Sequence, residues 1–455
     1  MIQVNAETII RGKLFRSIVL YCLPVILIGL IQNLFNAVDL MVLGIMADDR
    51  AIAAVGAPVS LIGLLQNTFF GFSSGAKVVL ARLIGAEQAL KTKRTISTSL
   101  ILGLILGILT TVVGIVFVPT FLRITNCPAE CMADAILYAR IYLLAAPAIM
   151  LYNYGSAILA ASGDSQRPLY YMLVSGCMNV VLNFAFCLIL PQKVAAVAIS
   201  TAISQLVGAV LVCLRLTKME GICRVRLKHM RWSWISFRQL IVNGLPIGLS
   251  SALYPLANLQ IQPQTNSFGT AVMAGNSAMG SIEGLVGSIA SSPWASTTTV
   301  FVGQNLGAGK PDRVRKSIVY SLGIVITLGL ILGILGTVFS RFLISFYVTE
   351  EAAIAAAQTR MVYTLLPYAV CAVNGVLSHV IQAFGYSFFC TANSIVSVLL
   401  FRVFWMHLIY PQTPTFDMLC RCYLVSWCLM LVINVTFTLY LYRGKFKKGR
   451  LKKML

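Results

Sequence analysis

Twelve long apolar segments constrain this chain more than any other feature of its sequence. Each approaches or exceeds the ~20 residues that a helix needs to cross a bilayer. Because 58% of the 455 residues are hydrophobic and only 11% are charged, the chain has too few charges to cover a soluble surface of its size. The sequence therefore predicts an all-α polytopic membrane protein with both termini on one side. The segments are 17–40, 53–80, 97–120, 137–160, 169–190, 194–216, 239–265, 270–302, 318–340, 355–383, 388–410 and 418–441.

The formal charge of +21 is distributed unevenly between the two sides of the membrane. Of the 35 Lys and Arg residues, 26 fall on the side that carries the termini and 7 on the other. Basic loops are retained in the cytoplasm, so we expect cytoplasmic termini in a plasma (inner) membrane, with the lipid bilayer as partner. The excess of basic residues is therefore explained by membrane orientation, and it does not require the chain to bind nucleic acid.

The two halves of the chain repeat each other at one constant offset in sequence. Pro24 corresponds to Pro246, and Gly85 corresponds to Gly307. The same offset also relates Ile96 to Ile318, Ser99 to Ser321, Gly163 to Gly385 and Ser175 to Ser397. A gapless repeat indicates a duplicated six-helix unit, and an even number of crossings makes the two copies parallel, related by a pseudo-twofold axis along the membrane normal.

The repeat divides the chain into two lobes, each with six predicted crossings. We predict an N-terminal lobe at 1–214, a basic cytoplasmic interdomain loop at 215–238, a C-terminal lobe at 239–442 and a basic cytoplasmic tail at 443–455.

Two acidic residues, Asp39 and Glu283, lie inside apolar segments. A charge near the bilayer centre costs at least ~2.5–3.5 kcal/mol, so such residues usually face a cavity. Gln32, Asn36 and Asp39 follow each other at helical spacing and form one polar stripe. The carboxylate of Asp39 is suited to a proton, a sodium ion or a cationic substrate. Alternatively, Asp39 has only a structural role, in which its carboxylate accepts hydrogen bonds from neighbouring helices.

Amides and hydroxyls in the first lobe supply further oxygen ligands. Asn179 and Asn183 share one face of the fifth segment, and Ser200 and Thr201 lie in the sixth. Such groups often only join membrane helices, but together with Asp39 they predict an oxygen-rich cation site.

The second lobe has fewer candidates. Glu283 has two interpretations: a second group that attracts cations, or an acid that lies beside a wet cleft and has no coupling role. Gln260 lies between Pro255 and Pro263. Lys77 and Arg402 have side chains long enough to reach an interface, so neither is assigned a role.

Two cysteines, Cys127 and Cys131, lie close together in the outer loop TNCPAEC. A disulfide and a partial metal site are alternatives to two unpaired thiols. Because no histidine cluster accompanies them, unpaired thiols explain the pair best.

Four motifs follow one another along the chain: LPVILIGLIQNLFNAVDLMVLG, ASGDSQRPLYYMLVSGCMNVVLN, GLPIGLSSAL and VGQNLGAGKPDRVRK. Together with the twelve segments and the duplication, they resemble the multidrug and toxic compound extrusion (MATE) family. The resemblance implies an alternating-access exporter of amphipathic organic cations, driven by a proton or sodium gradient. It implies no cofactor besides the coupling ion, which is H⁺ or Na⁺.

The resemblance also implies roles for the polar residues of the first lobe. Asp39 matches the coupling aspartate, and Asn179 with Asn183 matches the pair in the fifth span. Thr201 matches a threonine of the cation site, with Ser200 as the alternative in alignment.

The chain departs from one branch of the family in the second lobe. Tyr254 stands where that branch has a glutamate, and the tenth segment has no acid. The sequence therefore argues against a sodium site of that kind in the second lobe. The residues predicted to line the substrate cavity are Gln32, Asn36, Tyr254, Gln260 and Glu283.

We therefore predict a cation-coupled antiporter that works as a monomer. It is not expected to be an enzyme, because no nucleophile–base pair or metal cluster stands out. One alternative is a lipid-linked oligosaccharide flippase, which would line its cleft with Lys or Arg. The other is an ion channel, which would pass far larger currents than a carrier.

Overall fold

The fold is described from a computed structural model that covers residues 4–46, 49–125 and 127–443. Within these ranges the regular secondary structure is entirely helical. The side chains at positions 36–40, 43, 49, 50, 52, 227 and 259 also lie outside the described part.

The first half of the described chain contains nine α-helices. They are α1 (Ala6–Arg11), α2 (Leu14–Met46), α3 (Asp49–Gly56), α4 (Val59–Gly85), α5 (Ala89–Ile124), α6 (Ala129–Leu144), α7 (Ala146–Ala161), α8 (Gln166–Ile189) and α9 (Lys193–Lys218).

Two short 3₁₀ turns, Gly221–Cys223 and Leu227–His229, lead into the second half. Its α-helices are α10 (Trp234–Ser267), α11 (Thr270–Ala290), α12 (Ser292–Gly307), α13 (Pro311–Val338), α14 (Ser340–Ser345), α15 (Glu351–Thr364), α16 (Tyr368–Ala383), α17 (Ser387–Ser394), α18 (Phe401–Phe404) and α19 (Phe416–Leu441). Two π-helical segments, Ile395–Leu400 and Trp405–Ile409, flank α18, and a 3₁₀ turn at Tyr410–Gln412 follows.

The helices account for all twelve predicted crossings. Within the described ranges, nine helical stretches are long and apolar enough to span a membrane alone, and two bent pairs, α6–α7 and α15–α16, bring the number to eleven. The remaining segment, 270–302, forms α11 and α12, and the Gly, Ser and Asn residues of α11 make it less apolar. The predicted all-α fold with two six-helix lobes is confirmed.

Several predicted crossings are broken where a proline begins the second helix. Pro58 precedes α4, Pro147 and Pro293 lie in the first turns of α7 and α12, and Pro367 precedes α16. A proline lacks the backbone N–H that would continue the preceding helix and restricts the residue before it. The bends at α6–α7 and α15–α16 are 44° and 47°.

The internal repeat is visible in the backbone itself. Gly163, after α7, has φ +99°, and Gly385, after α16, has φ +90°. Both glycines adopt the left-handed conformation that side chains disfavour, so the same turn closes the same helix in each lobe.

The segment between the lobes packs against the first lobe. Cys223 and Val225 are buried in an apolar cluster with Tyr154 and Leu216, and Trp232 packs against its edge. Burial raises the pKa of the Cys223 thiol to about 11. The segment is therefore a part of the packed first lobe rather than a free linker.

The lobes meet at the terminal face, defined here as the face where α2 begins and α19 ends. A Cβ on Gly75 of α4 would overlap Gly244 of α10, so these two backbones touch. Gln304 of α12 donates from Nε2 to the carbonyl oxygen of Ala161 at 2.7 Å. These contacts close the molecule at the terminal face.

Helix α1 adds a second connection at the terminal face. Its last carbonyls face the second lobe, where Arg313 Nη2 donates to the oxygens of Ile9 and Gly12, each at 2.9 Å. Lys310 Nζ donates to the oxygen of Ile10 at 3.1 Å. Cations suit a helix C-terminus because its unpaired carbonyls carry partial negative charge.

Beyond the terminal face, polar side chains are exposed on the helices that line the gap between the lobes. They include Gln32 and Asn33 of α2 and Asn258 and Gln260 of α10. Asn33 Nδ2 donates to Ser288 Oγ of α11 at 3.2 Å, across the gap. Because amides facing lipid would lose their hydrogen bonds with water, these positions indicate a polar cleft.

Candidate functional site

The amides and hydroxyls predicted for the first-lobe cation site lie together. Asn183 Nδ2 donates to Asn179 Oδ1 at 3.4 Å, and Asn179 Nδ2 donates to Thr201 Oγ1 at 3.2 Å. Both asparagines are buried, Asn183 at 0% and Asn179 at 7% exposure. Thr201 donates in turn to the carbonyl oxygen of Val197 at 3.0 Å. The structure therefore joins α8 and α9 through a chain of oxygen-bearing groups, with both asparagines buried and Thr201 half-buried.

The neighbouring Ser200 points elsewhere. Its hydroxyl donates to the Ala196 carbonyl of its own helix at 2.8 Å, and the side chain is fully buried. Between the two alternatives left open by the alignment, Thr201 is the one that contacts Asn179.

The side chains of Asp39 and Asn36 lie outside the described residues, but the backbone of α2 fixes their depth. A Cβ on Gly176 of α8 would overlap the Phe35 ring, so α2 and α8 touch there. Both helices run away from the terminal face. At 1.5 Å per residue, position 39 lies about 6 Å beyond this contact and Asn179 about 4.5 Å. The backbone at Asp39 is therefore level with Asn179.

The other predicted cavity residues divide between the cleft and the protein interior. Gln32 and Gln260 are exposed. Tyr254 is 37% exposed, and its hydroxyl donates to Met430 Sδ at 3.4 Å. Glu283 is paired with Arg360, whose Nη2 lies 2.6 Å from Glu283 Oε2. A carboxylate that already has a cationic partner is a weak attractor for a further cation.

Charged, amide and aromatic side chains of several helices contact one another within the second lobe. Arg360 of α15 also donates from Nη1 to the Oδ1 of Asn276 at 2.7 Å. Arg402 of α18 donates from Nη1 to Asn258 Oδ1 at 2.8 Å. The guanidinium carbons of Arg360 and Arg402 lie 5.1 and 4.6 Å from the ring centroid of Tyr423. We call these six residues, Glu283 included, the second-lobe cluster.

Two expectations about basic residues are corrected by this arrangement. Arg402 and Lys77 do not reach an interface: their exposures are 2% and 4%. Lys77 Nζ donates to Ser296 Oγ of α12 at 2.6 Å, which ties the lobes together. Arg360, one of the seven basic residues that the sequence assigns to the outer side, is buried in α15 at 7% exposure. Polar partners on neighbouring helices, which hydropathy does not reveal, hold all three inside.

The outer cysteines are close but unbonded. The sulfurs of Cys127 and Cys131 are 3.8 Å apart, and both thiols are free. Desolvation and the neighbouring Cys131 sulfur raise the pKa of the Cys127 thiol. Within the described ranges, no group of three or more His, Cys, Asp or Glu side chains is placed to hold a metal.

The two lobes thus differ in chemistry. The first combines uncharged oxygen ligands with an acid at the same depth, which suits H⁺ or Na⁺. The second-lobe cluster contains two buried arginines and one glutamate.

Comparison with known proteins supports the duplication and the fold. The sequence model of the MatE family matches twice, at residues 24–185 and 246–405, and the two matches begin at the repeat partners Pro24 and Pro246. The chain is 25% identical over 396 residues to a probable multidrug resistance protein, YoeA, of Bacillus subtilis, covering 85% of each chain. It is 21% identical over 389 residues to the multidrug export protein MepA of Staphylococcus aureus, covering 82% of this chain and 83% of MepA.

Among solved structures, a variant of the Vibrio cholerae MATE transporter VcmN superposes with a TM-score of 0.86 at 18% identity. The match covers 95% of this chain and 97% of VcmN.

Proposed function

Since the chain belongs to the MatE family of multidrug and toxic compound extrusion transporters, we propose that it exports amphipathic organic cations in exchange for H⁺ or Na⁺. The relatives at 25% and 21% identity are named as multidrug resistance and export proteins, which supports this class of substrate. The carrier needs no cofactor besides its coupling ion and acts as a monomer in the plasma membrane, with cytoplasmic termini.

The observation that best supports an alternating-access mechanism is that the molecule is closed at the terminal face. Gly75 and Gly244 touch on the side of that face, whereas Gln260, farther along α10, and Gln32, far along α2, are exposed. A cleft closed at one end and polar beyond it has the shape of one end state of a carrier. With the termini in the cytoplasm, this state opens to the outside.

Coupling is assigned to Asp39 together with Asn179, Asn183 and Thr201. A cation entering from outside neutralises Asp39 and is held by the neighbouring oxygens, which changes the preferred packing of the first lobe and releases substrate. Loss of the cation to the cytoplasm resets the carrier. The cation shifts this equilibrium only by its difference in affinity for the two states.

A flippase for lipid-linked oligosaccharides is the second candidate, and the buried arginines are the observation that favours it. Arg360 is neutralised by Glu283, so only Arg402 of these two arginines has no carboxylate partner among the described residues. A diphosphate needs several unpaired cations, so the arrangement fits an exporter of drug-like molecules better.

The test is efflux of a fluorescent cationic dye from vesicles that contain the purified protein, with pH and sodium gradients imposed separately. We expect one gradient to drive efflux and the other to have no effect. An efflux rate that is the same with and without either gradient would overturn the proposal. Ionic currents far above the turnover of a carrier would indicate a channel, and transfer of labelled lipid-linked sugar would indicate the flippase.

A further inference from the structure

The second-lobe cluster contains a buried positive charge that the proposed transport cycle does not use. Arg360 is matched by Glu283 at 2.6 Å. Arg402 has an uncharged partner, Asn258, at 2.8 Å, and its guanidinium lies over Tyr423. Its Nε is buried and finds no hydrogen-bond acceptor among the described residues. A buried guanidinium without a carboxylate is costly unless an anion completes it.

A further acid of the second lobe is already engaged elsewhere. Asp417, at the start of α19, accepts from Arg421 at 2.8 Å and from the hydroxyl of Tyr363 at 2.7 Å. The cluster therefore has two guanidinium groups and one carboxylate, a net charge of +1, within the described part of the second lobe.

The repeat places this charge where the first lobe has its predicted cation site. At the offset that relates Pro24 to Pro246, Thr201 corresponds to Tyr423 and Asn36 corresponds to Asn258. The same place in the two lobes therefore has opposite electrical character, with an acid in the first and an arginine in the second.

Asn258 is exposed on α10 and accepts a hydrogen bond from Arg402, whose side chain is 2% exposed. An anion lying beside the Asn258 amide would approach the Arg402 guanidinium, which has the planar fork that matches a carboxylate.

We propose that Arg402, Asn258 and Tyr423 form a binding site for a monoanion, the carboxylate of a zwitterionic substrate. The inference rests on the proposed export function and extends it from simple cations to molecules with both charges. A single net positive charge matches one carboxylate and not a diphosphate.

The experiment measures equilibrium binding of two xanthene dyes to the purified full-length protein by fluorescence polarisation. The dyes are identical except that one has a free benzoate, making it a zwitterion, and the other has the ethyl ester, making it a monocation. We expect free benzoate to displace the zwitterion but not the ester. We expect Arg402→Gln to raise the ratio of the zwitterion Kd to the ester Kd by about tenfold or more, the worth of a charged hydrogen bond.

A second variant keeps the proposal testable if the Arg402→Gln protein does not fold. Asn258→Asp, at an exposed position, places a carboxylate against Arg402 and should raise the same ratio. Arg421→Gln removes an equal charge from the outer Asp417 pair and should leave the ratio unchanged. A Kd ratio that stays constant in Asn258→Asp, or benzoate that displaces both dyes equally, would overturn the proposal. Binding needs no gradient, so its outcome is independent of whether the dyes are exported.

Discussion

Gly85 of α4 and Gly307 of α12 occupy equivalent positions in the two repeats and press against each other's helix. A Cβ on Gly85 would overlap the carbonyl oxygen of Gln304, and a Cβ on Gly307 would overlap that of Arg82. Gln304 is itself the repeat partner of Arg82 in the second half of the chain. The pseudo-twofold axis therefore passes between these two helices, and the closed terminal face depends on the absence of side chains there.

Replacing Gly307 by leucine should prevent this closure. Overpacking costs ~1–3 kcal/mol, which disfavours the closed terminal face by about 5- to 150-fold. Since the carrier must pass through this state, we expect dye efflux from vesicles to fall at least about fivefold.

The matched control is Gly323→Leu on α13, where nothing lies within 4 Å of an added Cβ. This variant should retain most of the parental efflux. Efflux at the parental rate in Gly307→Leu would show that the closed face is not an obligatory state.

Thr201→Val should weaken cation binding, because it removes the hydroxyl to which Asn179 donates. A hydrogen bond contributes ~0.5–1.5 kcal/mol, so the coupling-ion concentration for half-maximal efflux should rise about 2- to 12-fold. Ser200→Ala removes a hydroxyl that bonds only within its own helix and should leave that concentration unchanged. Equal effects of the two substitutions would contradict the assignment.

Asp39→Asn should reduce gradient-driven efflux to background, because the amide keeps the size of the side chain but cannot change its charge. Quantification of the protein in isolated membranes should show normal insertion. Parental efflux in this variant would refute the coupling role of Asp39.

Breaking the Glu283–Arg360 pair should destabilise the second lobe. Either Glu283→Gln or Arg360→Gln leaves one buried charge without its counter-ion, which typically costs ~3–5 kcal/mol. Thermal unfolding of the purified protein should show a smaller loss in the double variant than the sum of the two single losses. Additive losses would indicate that the two side chains do not interact.

The membrane crossings could be predicted because they depend on the length of apolar segments. The repeat could be predicted because it rests on matched positions such as Pro24 and Pro246. The closeness of Asn179 and Thr201 also follows from helical spacing and the family resemblance. The breaks at Pro147 and Pro367 were missed, since apolar composition continues across them.

Arg360 and Arg402 escaped prediction for a different reason. Their burial depends on partners from other helices, Glu283 for one and Asn258 for the other, which are distant in sequence. The sequence does contain one indication that Arg402 is buried: it is one of only two basic residues that lie well inside a predicted crossing.

The connection made by α1 bears on how the chain is assembled. Ile9 and Arg313 are 304 residues apart in sequence, yet their main-chain oxygen and guanidinium are hydrogen-bonded. During synthesis the first helix emerges long before its partner exists, and contacts of such sequence separation form late. A segment translated long before its partner is thus among the last to find its native place.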